Sequence, residues 1–106
     1  MQLTQLFKGL SDPVRLRIFH VLAQKGELCV CHLTDGLELP QSTISRHLNT
    51  LKHTGLVQSE RRAKWVYYML NEENDMAKVL ASLVCTQSKH DPQLQKDLKN
   101  IQITTC

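Results

Sequence analysis

The feature that most constrains this chain is the stretch from Gln41 to Thr54, in which Ile44, Leu48 and Leu51 recur at i, i+4, i+7 among polar residues. That spacing makes one apolar stripe on an amphipathic helix. At about 100° per residue, Ser42, Arg46, Asn49 and His53 point away from the stripe, with Thr43, Ser45 and Thr50 on its flanks. An ordinary solvated face carries long Glu/Lys pairs, whereas this one carries mostly short hydrogen-bonding groups. Gly55 supplies the stop. A shorter helix, Val30 to about Glu38, precedes it across a turn at Leu39-Pro40, so the pair reads as a helix-turn-helix.

The remaining segments fit around that pair. Leu3, Leu6, Phe7 and Leu10 form a first helical stripe that ends at Ser11. Ser11 or Asp12 caps a second helix, with Pro13 in its first turn and Gly26 beyond its end at Lys25. Val14, Leu16, Ile18, Phe19, Val21 and Leu22 cover more than one face of it, the mark of a central helix. After Gly55 the period falls to two: Leu56 to Glu60 and Lys64 to Leu70 read as strands joined by a turn through Arg61-Arg62-Ala63. A hairpin with a cationic tip directly after a polar-faced helix makes a winged helix-turn-helix, mainly α with one β-hairpin. A helix from about Glu72 to Ser88 carries Met76, Val79, Leu80, Leu83 and Val84, and a weaker pattern, Leu94, Leu98 and Ile101, follows before a fraying end from Ile103. The expected division is residues 1–88 as a DNA-binding and dimerisation domain and residues 89–106 as a C-terminal helical tail.

Charge sharpens the reading. The net charge is +3, but Gln41 to Lys64 holds Arg46, Lys52, Arg61, Arg62 and Lys64 against Glu60 alone, which is +4 and leaves −1 for the rest. A basic patch on a near-neutral body suits a polyanion, here double-stranded DNA. The longest apolar run, Trp65 to Leu70, is six residues, so neither a membrane span nor a secretory signal is expected. In 106 residues the core is modest, and two apolar stripes, on the first helix and on the helix from Glu72, are expected to meet those of a second copy. Four cysteines without a signal sequence point to the reducing cytoplasm, where thiols bind metals or sense oxidants. Cys29 and Cys31 stand as a pair just before the helix-turn-helix. An enzyme is not expected: there is no Cys-x-x-Cys in an α/β context, no Ser/His/Asp constellation and no glycine-rich phosphate loop.

Three segments, Glu27-Leu28-Cys29-Val30-Cys31-His32-Leu33, Ser42-Thr43-Ile44-Ser45-Arg46-His47-Leu48 and Lys64-Trp65-Val66-Tyr67-Tyr68, resemble the ArsR/SmtB family of bacterial metal-responsive repressors. The resemblance runs from roughly Leu3 to Cys85, and the Cys-Val-Cys version is similar to the arsenic-sensing branch. It implies a homodimeric repressor of a resistance operon, acting at operator DNA on the bacterial nucleoid and released when As(III) or Sb(III) binds cysteine thiolates. Cys29 and Cys31 would be ligands, with Cys85 and Cys106 as the two candidates for a third. The chain departs from the family pattern at three places: Thr34 where a third cysteine is common, His32 where an aspartate is usual, and Ala63 where the wing turn usually has glycine. A repressor of the same fold that senses oxidants through its thiols, or zinc through Cys29, Cys31 and His32, is the alternative.

The expected DNA contacts follow from the helix face. Gln41, Ser42, Thr43, Ser45 and Arg46 enter the major groove, Asn49 and Thr50 lie toward the backbone, and Arg61, Arg62 and Lys64 meet phosphates. A switch is expected too. Two residues at i and i+2 of a helix point about 200° apart, so a shared ion is expected to require an unwound or distorted start to the helix that follows Cys29.

Overall fold

The computed structural model describes residues 1–102. Asp12 starts the central helix: its carboxylate accepts the N–H groups of Val14 (2.9 Å) and Arg15 (3.1 Å), and Pro13 takes the first helical position. This helix, α2 (Pro13–Lys25), follows α1 (Gln2–Leu10) and buries Ile18, Phe19, His20, Val21 and Leu22 in unbroken succession. Such a run covers every face, and α2 duly meets neighbours on all sides. It ends at Gly26, whose φ of 83° suits a residue without a Cβ and whose N–H returns to Leu22 O at 3.0 Å.

Beyond Gly26 the chain runs extended for β1 (Leu28–Cys29), then turns at once into α3 (Val30–Leu37) and, through Glu38 at a φ of 57°, into α4 (Gln41–His53). Leu33 and Leu37 of α3 and Ile44, Leu48 and Leu51 of α4 close over α2 in one core with Leu6, Ile18, Phe19 and Leu22. A hairpin of β2 (Val57–Arg62) and β3 (Trp65–Leu70) follows. The sheet order is β1-β3-β2, all antiparallel, with Leu28 opposite Tyr68 and Cys29 opposite Tyr67.

Two details differ from the sequence expectation. β2 runs through Arg62, which pairs with Trp65, so the turn is Ala63-Lys64 rather than Arg61-Arg62-Ala63. Ala63 takes a φ of 56°, the positive value required at the head of a tight hairpin turn, which costs an alanine about 1–2 kcal/mol relative to the right-handed region. The strand β1 was not foreseen, because two residues have no period to detect.

The last helices complete the bundle. α5 (Asp75–Gln87) begins three residues later than Glu72 because Asn71 and Asn74 both donate to Gly55 O, at 3.0 and 3.2 Å, holding the end of the hairpin at the corner after α4. Asn74 then caps α5 through Met76 N–H and Ala77 N–H. α6 (Pro92–Asn100), after a 3-10 turn at Ser88–His90, packs on α2 and α3 rather than trailing away. Asp97, 1% exposed, receives Arg17 in a two-pronged ion pair (Nε to Oδ2 2.9 Å, Nη2 to Oδ1 3.0 Å), and Arg17 Nη2 also donates to Leu37 O at 3.1 Å. Ile101 rests directly on Gly36 of α3, so closely that a Cβ there would meet the Ile101 side chain. Gly36→Ala should therefore cost about 1–3 kcal/mol by overpacking, read as a lower urea midpoint. In an Ile101→Ala background the cost should shrink, since the side-chain clash is gone and the Ile101 Cα, 3.2 Å from the added Cβ, is the close contact that remains.

Candidate thiol centre and nucleic-acid interface

The cysteine pair sits on the joint between β1 and α3. Cys29 is the N-cap of α3, with extended backbone (φ −89°, ψ 168°), and still belongs to the sheet through its pairing with Tyr67. His32, at the third helical position, accepts the Cys29 N–H on Nδ1 at 3.2 Å while the Cys29 sulfur sits over the His32 backbone N–H, a capping box built from Cys and His. Because Nδ1 is the acceptor, the neutral ring carries its proton on Nε2.

This joint corrects the expected geometry. The 200° separation holds for two residues inside a helix, but Cys29 lies outside it, so its side chain swings back over the first turn. The Cys29 and Cys31 sulfurs are 3.0 Å apart, and Cys29 Sγ is 3.4 Å from His32 Nδ1. Two thiolates on one ion with bonds of about 2.3 Å cannot be more than about 4.6 Å apart, so the pair can share an ion without unwinding α3. Cys29 and His32 are buried and Cys31 is half-buried. Among the described residues these three are the group of His, Cys, Asp and Glu side chains whose ligand atoms, all within 4.8 Å of one another, could hold one ion. Cys85, half-buried on α5, is outside this group, and burial pushes its thiol pKa up, against the thiolate. Thr34 turns its hydroxyl to Val30 O at 2.9 Å. Cys106 lies outside the described residues.

A cleft of about 390 Å³ opens beside the pair. Gln41, the first residue of α4, borders it, as do Lys64, Trp65 and Val66 at the head of β3. One space therefore touches the thiol centre, the polar-faced helix and the wing.

On α4 the buried side is Ile44, His47, Leu48 and Leu51. Gln41, Ser42, Arg46 and Asn49 are exposed and Thr43, Ser45 and Thr50 half-buried, which puts the seven expected contact residues on or beside the solvent face. His47 lies in the interior, held by two charged neighbours. Arg15 Nη1 lies 3.4 Å from His47 Nδ1, and Asp12 Oδ2 lies 3.9 Å from Nε2. Burial is the largest influence on His47 and lowers its pKa against the pull of Asp12, keeping the ring neutral. Arg15 also donates to Gly9 O (2.8 Å) and Lys8 O (3.2 Å), so the end of α1 is tied to α4 through one guanidinium. No periodic signal marks such a link.

The wing is less bare than its sequence suggests. Arg62 pairs with both oxygens of Glu27 and with Glu60 Oε2 (2.8 Å), and its guanidinium lies 5.0 Å from the centre of the Tyr67 ring. The hydrogen bonds from Arg62 hold the Glu27 pKa below its usual value, and those carboxylates raise the pKa of Arg62. Arg61 is exposed, with Nε donating to Ala63 O at 3.3 Å, and the Lys64 ammonium lies 5.4 Å from the Trp65 ring.

The arrangement has known counterparts. Residues 12–59 match the family of bacterial regulatory proteins described as the arsR family. The chain is 48% identical over 68 residues to an arsenic resistance transcriptional regulator of Pseudomonas putida, a match that takes in 64% of this chain and only 53% of that protein. It is 41% identical over 81 residues to the arsenical resistance operon repressor of Bacillus subtilis, covering 76% of this chain and 77% of that one. Among solved structures, the homodimeric winged helix-turn-helix DNA-binding domain of a possible ArsR-family regulator from Mycobacterium bovis superposes with a TM-score of 0.72 at 31% identity, over 84% of this chain and 81% of that chain. With the helix-turn-helix of α3 and α4, the wing of β2 and β3 and the regulators it resembles, the chain belongs to the ArsR family of bacterial transcriptional regulators.

Proposed function

We propose that this protein is a dimeric repressor of an arsenic-resistance operon, which reads operator DNA through α4 and the wing and leaves it when As(III) or Sb(III) binds Cys29 and Cys31. The observation that carries this reading is the convergence of the two sulfurs, 3.0 Å apart, beside a cleft bordered by the first residue of α4 and the head of β3. Soft sulfur ligands favour a soft ion over a hard one. The same relation appears in the names of the Pseudomonas and Bacillus relatives, both of which are arsenic-resistance regulators.

The route from ion to DNA is short. Cys29 belongs to the strand that pairs with β3 of the wing, and Cys31 to the helix that packs on α4. An ion bonded to both sulfurs fixes the angle between those two elements, and the DNA-bound protein requires a different one. A coupling of about 1–3 kcal/mol between the two ligands would change operator affinity 5- to 150-fold. For inorganic As(III) a third sulfur comes from Cys106. Gln102 and Asp35 of α3 line one cleft, and the four residues beyond Gln102 can span up to about 13 Å.

Dimerisation accounts for the apolar side chains left outside the core. Leu3 and Phe7 of α1 and Met76, Val79 and Leu83 of α5 are exposed, Val79 by 59% and Leu83 by 55%, and a second copy would cover them. The dimer would present its two α4 helices to half-sites about 34–36 Å apart on one side of the duplex.

Gel-shift assays on the DNA upstream of the protein's own gene, under a phosphine reductant, test the whole reading: As(III) should abolish the shift. A shift that persists with As(III) demonstrably bound would overturn it. Cys29→Ser and Cys31→Ser should each bind the DNA and ignore As(III). Arg46→Ala should weaken operator binding by about 1–3 kcal/mol and blur base preference, whereas Arg62→Ala should weaken all sequences alike. Leu83→Glu should lower the dimer fraction in sedimentation and the operator affinity together; a wild type that is monomeric at micromolar concentration would refute the dimer.

A further inference from the structure

We infer that α6 is an acid-released clasp: protonation of His20 on α2 lets this helix leave α2 and the end of α3. His20 is 0% exposed, and neither of its ring nitrogens has a hydrogen-bond partner among the described residues. A neutral imidazole pays for such burial only in lost hydrogen bonds. A charged one would bury an ion as well, with two bare N–H donors.

The surroundings offer that ion little. On α2 itself Arg17 stands one turn earlier and is already positive. From α6 come Asp97 and, at the N-cap, Asp91. Asp97 is taken by Arg17 through both oxygens and by Gln93 Nε2 at 3.0 Å, while Asp91 accepts the N–H groups of Gln93 (2.9 Å) and Leu94 (3.1 Å). α5 turns Ala77, Leu80 and Ala81 inward, and His47 of α4 lies beside Asp12 and Arg15 at the start of α2. Burial outweighs the pull of the two carboxylates and lowers the His20 pKa from its ordinary 6.5.

Once α6 has left, His20 meets water and regains a value of about 6.5. The open form then takes up a proton that the closed form refuses, so closure is strongest above about pH 6.5 and weakens as the pH falls below it. Release withdraws Ile101 from the notch at Gly36 and Asp97 from the guanidinium that holds Leu37 O. Both contacts fix the end of the helix that packs on α4, so protons would reach the helix-turn-helix by a path separate from the thiols.

Amide exchange of the full chain, divided by the intrinsic rate at each pH, tests the clasp. From about pH 7.5 to 5.5 the opening constant of α6 should rise about three- to tenfold, the upper figure being the limit for one proton taken up near 6.5. It should stay above that of the central turns of α2, which open only on global unfolding. His20→Phe, and His20→Leu with its smaller side chain, should flatten the rise; the contribution of His47 is common to all three proteins and cancels. In the wild type the His20 ring, followed by NMR, should titrate with a midpoint below about 6.5. An α6 indifferent to pH, a rise that either folded variant keeps in full, one opening constant shared by α6 and α2, or a His20 midpoint at or above the ordinary value would each overturn the inference.

Discussion

An N-cap residue must be extended while the residue after it is helical, and in this chain that residue is Cys29. The constraint fixes three things at once. Cys29 remains in the sheet opposite Tyr67, its sulfur turns back over the first turn of α3, and Cys31 inside that turn meets it. Had α3 begun two residues earlier, both cysteines would be helical and their side chains would diverge. Had it begun later, the sheet would hold both and α3 would lose its tie to the sulfur pair. The His32 ring secures the joint by accepting the Cys29 N–H, which explains how a histidine serves where the family pattern usually has aspartate: an imidazole nitrogen, like a carboxylate oxygen, can complete a capping box.

The far end of α3 is held just as firmly. Arg17 donates to Leu37 O while its other contacts are taken by Asp97, and Ile101 fills the notch left by Gly36. A helix of eight residues pinned at its C-terminal end cannot absorb a displacement at its N-terminal end by sliding as a whole. In the proposed switch it would tilt, and α4, packed along it, would tilt with it. In the proposed switch a part-buried, two-pronged ion pair between α2 and α6 would thus belong to the frame that transmits the movement, although it does not touch the sulfurs.

What the sequence disclosed and what it hid follow from the range of each interaction. The faces of α2 and α4, the caps at Asp12 and Gly26 and the hairpin are local patterns, and the structure agrees with them to within a few residues. The exposed stripe of Met76, Val79 and Leu83 was equally visible, because an apolar residue that a small core leaves outside still shows in the periodicity. Arg17 and Asp97 lie 80 residues apart, Arg15 and His47 lie 32 apart, and β1 is two residues long; none leaves a repeating mark. The convergence of the sulfurs was misjudged for a different reason. The helix boundary falls between the two cysteines, and a shift of one or two residues there decides whether they face each other or apart.

Arg62 is the wing residue with the most to say about how such a protein searches DNA. A bare arginine exchanges mobile counterions for any phosphate it passes. Arg62 instead carries its counterions on the same chain, in Glu27 and Glu60, so a passing phosphate gains little by taking it. Being exposed, these pairs are screened by salt and hold only weakly, so a phosphate kept in place by α4 seated in its groove can displace them. In the proposed complex the wing would then add a weakened, sequence-independent grip at Arg62, because each phosphate must first displace Glu27 and Glu60.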